Sequence, residues 1–151
     1  MGAWAQEGEQ IEDTQFGFAV TIPSGFDPYE LEDSPDAVYL FMDREPTPDD
    51  PASLIQIDRL RGHTFLESRM EAKHVPPGAE LLEFIWQGHP LDMMRQESEP
   101  VPGLKMVSFV TQYPLRPEAV MLIVTGPIAK EAELRKIFDE VAGGLTNSRP
   151  L

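Results

Sequence analysis

The chain has 151 residues, 41% of them apolar, carries a net charge of −14 and contains no cysteine. That length suits one domain able to bury roughly 70% of its unfolded surface, and the missing thiols exclude disulfides, thiolate metal centres and thiol catalysis. Residues 1–50 hold thirteen acids against one base, Arg44, and residues 51–151 hold thirteen against eleven; such a field repels phosphate backbones and anionic lipid, which argues against nucleic-acid and polybasic membrane roles.

Residues 1–15 are polar, acidic and without period, which predicts an extended or mobile leader. Within it Ala3-Trp4-Ala5 has the small-x-small form that closes a secretory signal peptide. Two placements stay open: export, with an apolar segment of about 7–15 residues encoded upstream, or the cytoplasm, with the match a coincidence. No apolar run is long enough to span a membrane.

The single domain is expected over 16–145. Its first strand is 16–22, where Phe16, Phe18, Val20 and Ile22 alternate with Gly17, Ala19 and Thr21, so that four large apolar side chains share one face. The small residues opposite leave room for a close neighbour. Pro23-Ser24-Gly25 turns the chain, and an acidic loop follows to Asp36. A second strand is predicted over 37–42. Three prolines then exclude regular structure from 43 to 51. That loop carries Asp43, Glu45, Asp49 and Asp50, but the spacing fits no EF-hand and the glycine of such a loop is missing.

A third strand spans 54–60. Thr64 with Glu67 has capping-box form, predicting a helix over 64–73 with Phe65, Leu66 and Met70 on its apolar side. Two strands, 80–87 and 91–97, join at Gly88-His89-Pro90. Met93 and Met94 in the second read as core filler.

A strand from 104 to 113 leads through a proline-rich turn to 119–125. The latter run is apolar and uncharged from Ala119 to Val124, which predicts the central strand, buried on both faces. Gly126-Pro127 stops it, and from Ile128 the period becomes helical, with Leu134, Ile137, Phe138, Val141 and Leu145 on one stripe. Glu131 and Arg135 are placed to pair at i, i+4, Gly143-Gly144 to stop the helix, and residues 146–151 to form a loose tail. Short turns between the later strands make an antiparallel meander. The fold class is therefore α+β: a three-layer α/β/α sandwich, one antiparallel sheet of six or seven strands with a helix on each face.

The strand and turn Phe16-Gly-Phe-Ala-Val-Thr-Ile-Pro-Ser-Gly-Phe26, and the closing hairpin and helix over 104–145, resemble the PsbP/DcrB-like superfamily. The resemblance covers roughly 16–145 and rests on a structural motif. It implies the sandwich just described and, because its members are mostly not enzymes, a binding or accessory role. They include an extrinsic photosystem subunit, an import factor that binds a small GTPase, envelope lipoproteins, and chaperones for secreted toxins. The absence of a lipobox cysteine argues against an anchored lipoprotein.

Catalytic patterns do not emerge. There is no Gly-x-Ser-x-Gly, no phosphate-binding glycine loop, and His63, His74 and His89 stand in no ligand spacing. The expectation is no catalytic residue, no cofactor and no metal. The function expected is a non-catalytic protein-binding or scaffold module. Its candidate site is the carboxylates of two loops: Asp27, Glu30, Glu32, Asp33 and Asp36 in one, Asp43, Glu45, Asp49 and Asp50 in the other. They would meet a partner protein with a basic surface; the oligomeric state stays open. One alternative is a chaperone-like groove, lined by Met42, Met93 or Met94, that holds an apolar partner helix. A less favoured one is a hydrolase built on carboxylates and histidines.

Overall fold

The computed structural model of the chain describes residues 9–29, 37–45, 52–60, 77–113, 115 and 119–147. Seven strands make one antiparallel sheet, in the spatial order β3 (Asp27–Pro28), β4 (Ala37–Met42), β5 (Leu54–Arg59), β9 (Val120–Pro127), β8 (Leu104–Tyr113), β7 (His89–Val101) and β6 (Ala79–Trp86). The apolar run expected to be central is the fourth of the seven. Its burial is one-sided, however. Val120, Leu122 and Val124 are buried, while Met121, Ile123 and Thr125 are only half-buried. The expectation of equal burial on both faces is corrected accordingly.

The buried side belongs to α1 (Glu131–Gly144), entered through a 3-10 turn at Ile128–Lys130. Leu134, Phe138, Val141 and Ala142 face inward, the stripe that the helical period demands. They meet the cross-strand rows Leu82, Met93, Thr111, Leu122, Ile57 and Arg95, Phe109, Val124, Ile55. Each fully buried Leu, Ile, Val, Phe or Met among them contributes about 1.5–3 kcal/mol. The approach is closest at Gly126, where a Cβ would stand 2.8 Å from Ser53 Oγ and 2.9 Å from a Leu134 methyl. α1 is the one α-helix among the described residues; the helix expected over 64–73 lies outside them.

The strand expected first in the sheet is not in it. β2 (Phe18–Ile22) lies instead between β1 (Glu9–Asp13) and β10 (Thr146–Asn147) in a second, three-stranded antiparallel sheet. Phe16, Phe18, Val20 and Ile22 are buried as their alternation requires, and join the same core as α1. A strand buried on one face still needs partners for its backbone, and these polar segments supply them. Asp13 links the two sheets: its carboxylate accepts from the Phe16 amide at 2.8 Å and from the Tyr39 hydroxyl at 2.7 Å. Burial, with that bond and the Asp13 charge, pushes the Tyr39 hydroxyl up to about 12.

The helix ends also differ from expectation. Neither Gly143 nor Gly144 adopts positive φ; α1 runs through both, and Leu145 leaves in extended conformation. Two buried aromatics serve the terminal carbonyls instead. Trp86 Nε1 donates to Leu145 O, and the Tyr113 hydroxyl to Ala142 O at 2.8 Å. These groups would otherwise be orphaned.

Candidate functional site

The acidic candidates divide by position. β3 is two residues long and pairs with the end of β4, Asp27 opposite Met42 and Pro28 opposite Phe41; the Tyr29 amide continues the contact by donating to Leu40 O at 2.9 Å. Asp43 therefore follows directly on the residue that faces Asp27, and the two loops start from one corner of the sheet. Asp27 and Glu45 are exposed there.

Asp43 is not free to meet a partner. Its amide donates to Ser53 O at 3.1 Å, its Oδ1 accepts from the Ser53 amide at 2.9 Å, and Arg44 Nε lies 3.6 Å away. With Ser53 3% exposed, this reciprocal pair satisfies a buried backbone and closes the chain reversal between β4 and β5. Asp43 thus has a structural duty that its place in an acidic run does not reveal. Glu30, Glu32, Asp33, Asp36, Asp49 and Asp50 lie outside the described residues.

A second charged cluster was not anticipated. Arg95 projects from β7 on the helix side of the sheet, and its guanidinium grips Glu131 through two hydrogen bonds of 2.7 Å. Glu97 lies 2.8 Å and Glu80 3.6 Å from the same group. This bidentate fork clamps the first residue of α1 to the sheet, so Glu131 is unavailable to Arg135, which bonds Asp139 at 3.1 Å. The expected Glu131–Arg135 pair is corrected. Arg95 holds the Glu131 carboxyl below its ordinary value, the wrong direction for a general acid at neutral pH. Glu97, Ser98, Glu99 and Lys105 line a shallow depression beside it. The signal was a lone arginine in an acidic strand, but only the fold brings residue 131 to residue 95.

The remaining candidates are placed plainly. Met93 is fully buried core, while Met42 and Met94 are half-buried on the sheet face away from α1. His63 and His74 lie outside the described residues. Among the described residues, no three His, Asp or Glu side chains gather as a metal-binding group, and no helix is long and apolar enough to cross a membrane.

No protein-family model matches the chain, and no curated protein matches it. Solved structures do. A protein of Bacteroides thetaiotaomicron superposes with a TM-score of 0.61 at 20% identity, over 94% of this chain and 49% of that one; the chain thus spans about half of that protein's length. The cyanobacterial PsbP (CyanoP) of Synechocystis matches with a TM-score of 0.56 at 13% identity, covering 94% of this chain and 93% of its own. LpqN of Mycobacterium tuberculosis, a protein involved in cell envelope biogenesis, matches with 0.55 at 12% identity, covering 93% and 90%. The chain has a PsbP-like fold.

Proposed function

We propose that the protein is a non-catalytic accessory or scaffold module that meets a basic partner protein through the acidic corner of its larger sheet. The observation that carries this reading is the start of both acidic loops at one corner, where Asp27 and Glu45 are exposed. The concentration of negative charge in the first fifty residues supports it, as does a fold likeness to PsbP and LpqN. Asp43 is removed from the contact set, because its carboxylate serves Ser53. The partner-facing set is then Asp27, Glu30, Glu32, Asp33, Asp36, Glu45, Asp49 and Asp50. Charged contacts of this kind act mainly on encounter rate and fade with salt, the Debye length being about 8 Å at physiological strength.

The experiment is affinity capture from the native host at low and high salt, with the wild type and with a D27N/E45Q/D49N/D50N variant. A partner that is retained at low salt by the wild type, and lost both in the variant and at high salt, supports the reading. Retention of the same partner under all conditions contradicts it.

A further inference from the structure

We propose that the outer edge of β6, unpaired among the described residues, is a second, separate docking site, where an extended basic segment of a partner protein adds as a further strand. β6 ends the seven-stranded sheet, and no described strand pairs with its outer side. It is eight residues long and lacks proline, so its backbone can template a neighbour.

The turn at its end sets which groups are available. Gln87 and Gly88 have φ of 49° and 80°, the left-handed pair of a two-residue type I′ turn. Such a turn closes on a hydrogen-bonded pair, here Trp86 with His89, after which bonded and non-bonded pairs alternate. Phe84, Leu82 and Glu80 therefore spend their amides and carbonyls on β7. Leu81, Glu83 and Ile85 turn theirs to the open side. Pro90 stands opposite Ile85, a position where the ladder requires no N–H.

Side chains define the occupant. Leu81, Glu83 and Ile85 share the face away from α1; Glu83 is exposed, and Ile85 is 62% exposed. Glu83 lies directly across from Asp92, and like charges so placed oppose the pairing. A lysine or arginine on the incoming strand opposite Glu83 would stand beside a carboxylate of opposite sign, with apolar residues two positions to either side covering Leu81 and Ile85. On the helix side Glu80, 61% exposed, sits 3.6 Å from an Arg95 group already shared with Glu97, and takes a second basic residue. A second copy of the chain fits poorly. The antiparallel register that matches Leu81 with Ile85 sets Glu83 upon Glu83, between molecules of charge −14 each.

The test uses the intact protein and the end-blocked peptide Thr-Val-Thr-Lys-Thr-Val-Lys-Thr, at low and high salt, read by amide hydrogen exchange and calorimetry. Antiparallel pairing puts its two lysines opposite Glu83 and Glu80. The expected result is slower exchange at Leu81, Glu83 and Ile85 with little change at Leu82 and Phe84, and affinity about tenfold weaker for E83K or at high salt. N-methylation of the two valines, which removes two of the three amides facing β6, should abolish binding. Equal binding by the N-methylated peptide, unchanged exchange at the three residues, or protection there in the protein alone that grows with its concentration would each overturn the proposal, the last by making a second copy the occupant.

Discussion

At one edge of the seven-stranded sheet, β3 contributes two residues, one of them proline, and the adjoining chain is tied by Asp43 to Ser53. At the other, β6 offers eight residues without proline, carrying an exposed isoleucine. Proline cannot donate to a ladder, and a two-residue strand offers little to pair with, so the first edge is closed to strand addition. What it presents is charge at its corner. The second edge presents backbone, and its carboxylates Glu80 and Glu83 choose the sign of what may pair rather than forming the attachment themselves. Among the described residues the two edges thus differ in kind, exposed charge at the corner of one and strand backbone along the other.

The comparison breaks most visibly at Trp86. This residue is fully buried, stacks edge-on against Tyr113 with ring centroids 5.2 Å apart, and donates to Leu145 O; it fastens both the β6 edge and the end of α1. Trp86→Ala should cost about 3–5 kcal/mol, seen as a lower denaturation midpoint. A loss below about 1 kcal/mol would mean that β6 is not anchored as described.

At the acidic corner the carboxylates should separate into two groups. Asp43→Ala leaves the buried Ser53 amide without its acceptor and should cost about 1–3 kcal/mol. Asp27→Asn and Glu45→Gln should each stay within about 0.5 kcal/mol while weakening capture of a basic partner. Urea titration of the three variants checks this division; equal losses would erase it.

A small effect also belongs to the Arg95–Glu131 clamp, which is partly exposed and screened. Glu131→Gln should cost under about 1 kcal/mol. The sign follows from a folded carboxyl value below the unfolded one. The contribution is complete above the unfolded value of about 4.3, and is lost as pH falls through the folded value. Stability profiles of wild type and variant should therefore converge in acid and separate by pH 6; divergence toward low pH would reverse the assignment.

Much of the fold was legible from periodicity. The alternation at Phe16, Phe18, Val20 and Ile22 marked its buried face, because one-sided burial imposes period two on a strand whatever its partners, and the uninterrupted apolar run before Gly126 marked the central strand. What period cannot state is which strand lies beside which. Hence β2 was assigned to the wrong sheet: the neighbours that remove it, β1 and β10, hold polar residues with Ile11 as their one large apolar side chain, and no local pattern announces them. Likewise Gly143 and Gly144 suggested a stop, whereas they are the last residues of α1 and its end is served by Trp86 and Tyr113, 59 and 29 residues away in sequence from the carbonyls they bond. In the candidate site, the sign and concentration of charge were legible, but not the duty of Asp43, since its partner Ser53 lies across a loop. The open edge of β6 was legible only as an unremarked alternation, Leu81, Glu83, Ile85; being an edge is a property of the assembled sheet.

The most direct test of that edge needs no partner. Amide hydrogen exchange on the intact protein, at a concentration where it is monomeric, should alternate along β6, slow at Leu82, Phe84 and Trp86 and fast at Leu81, Glu83 and Ile85, while Leu122, Ile123 and Val124 of the central strand are slow without alternation. Uniform protection along β6 would contradict the account, because the outward backbone groups would already be paired.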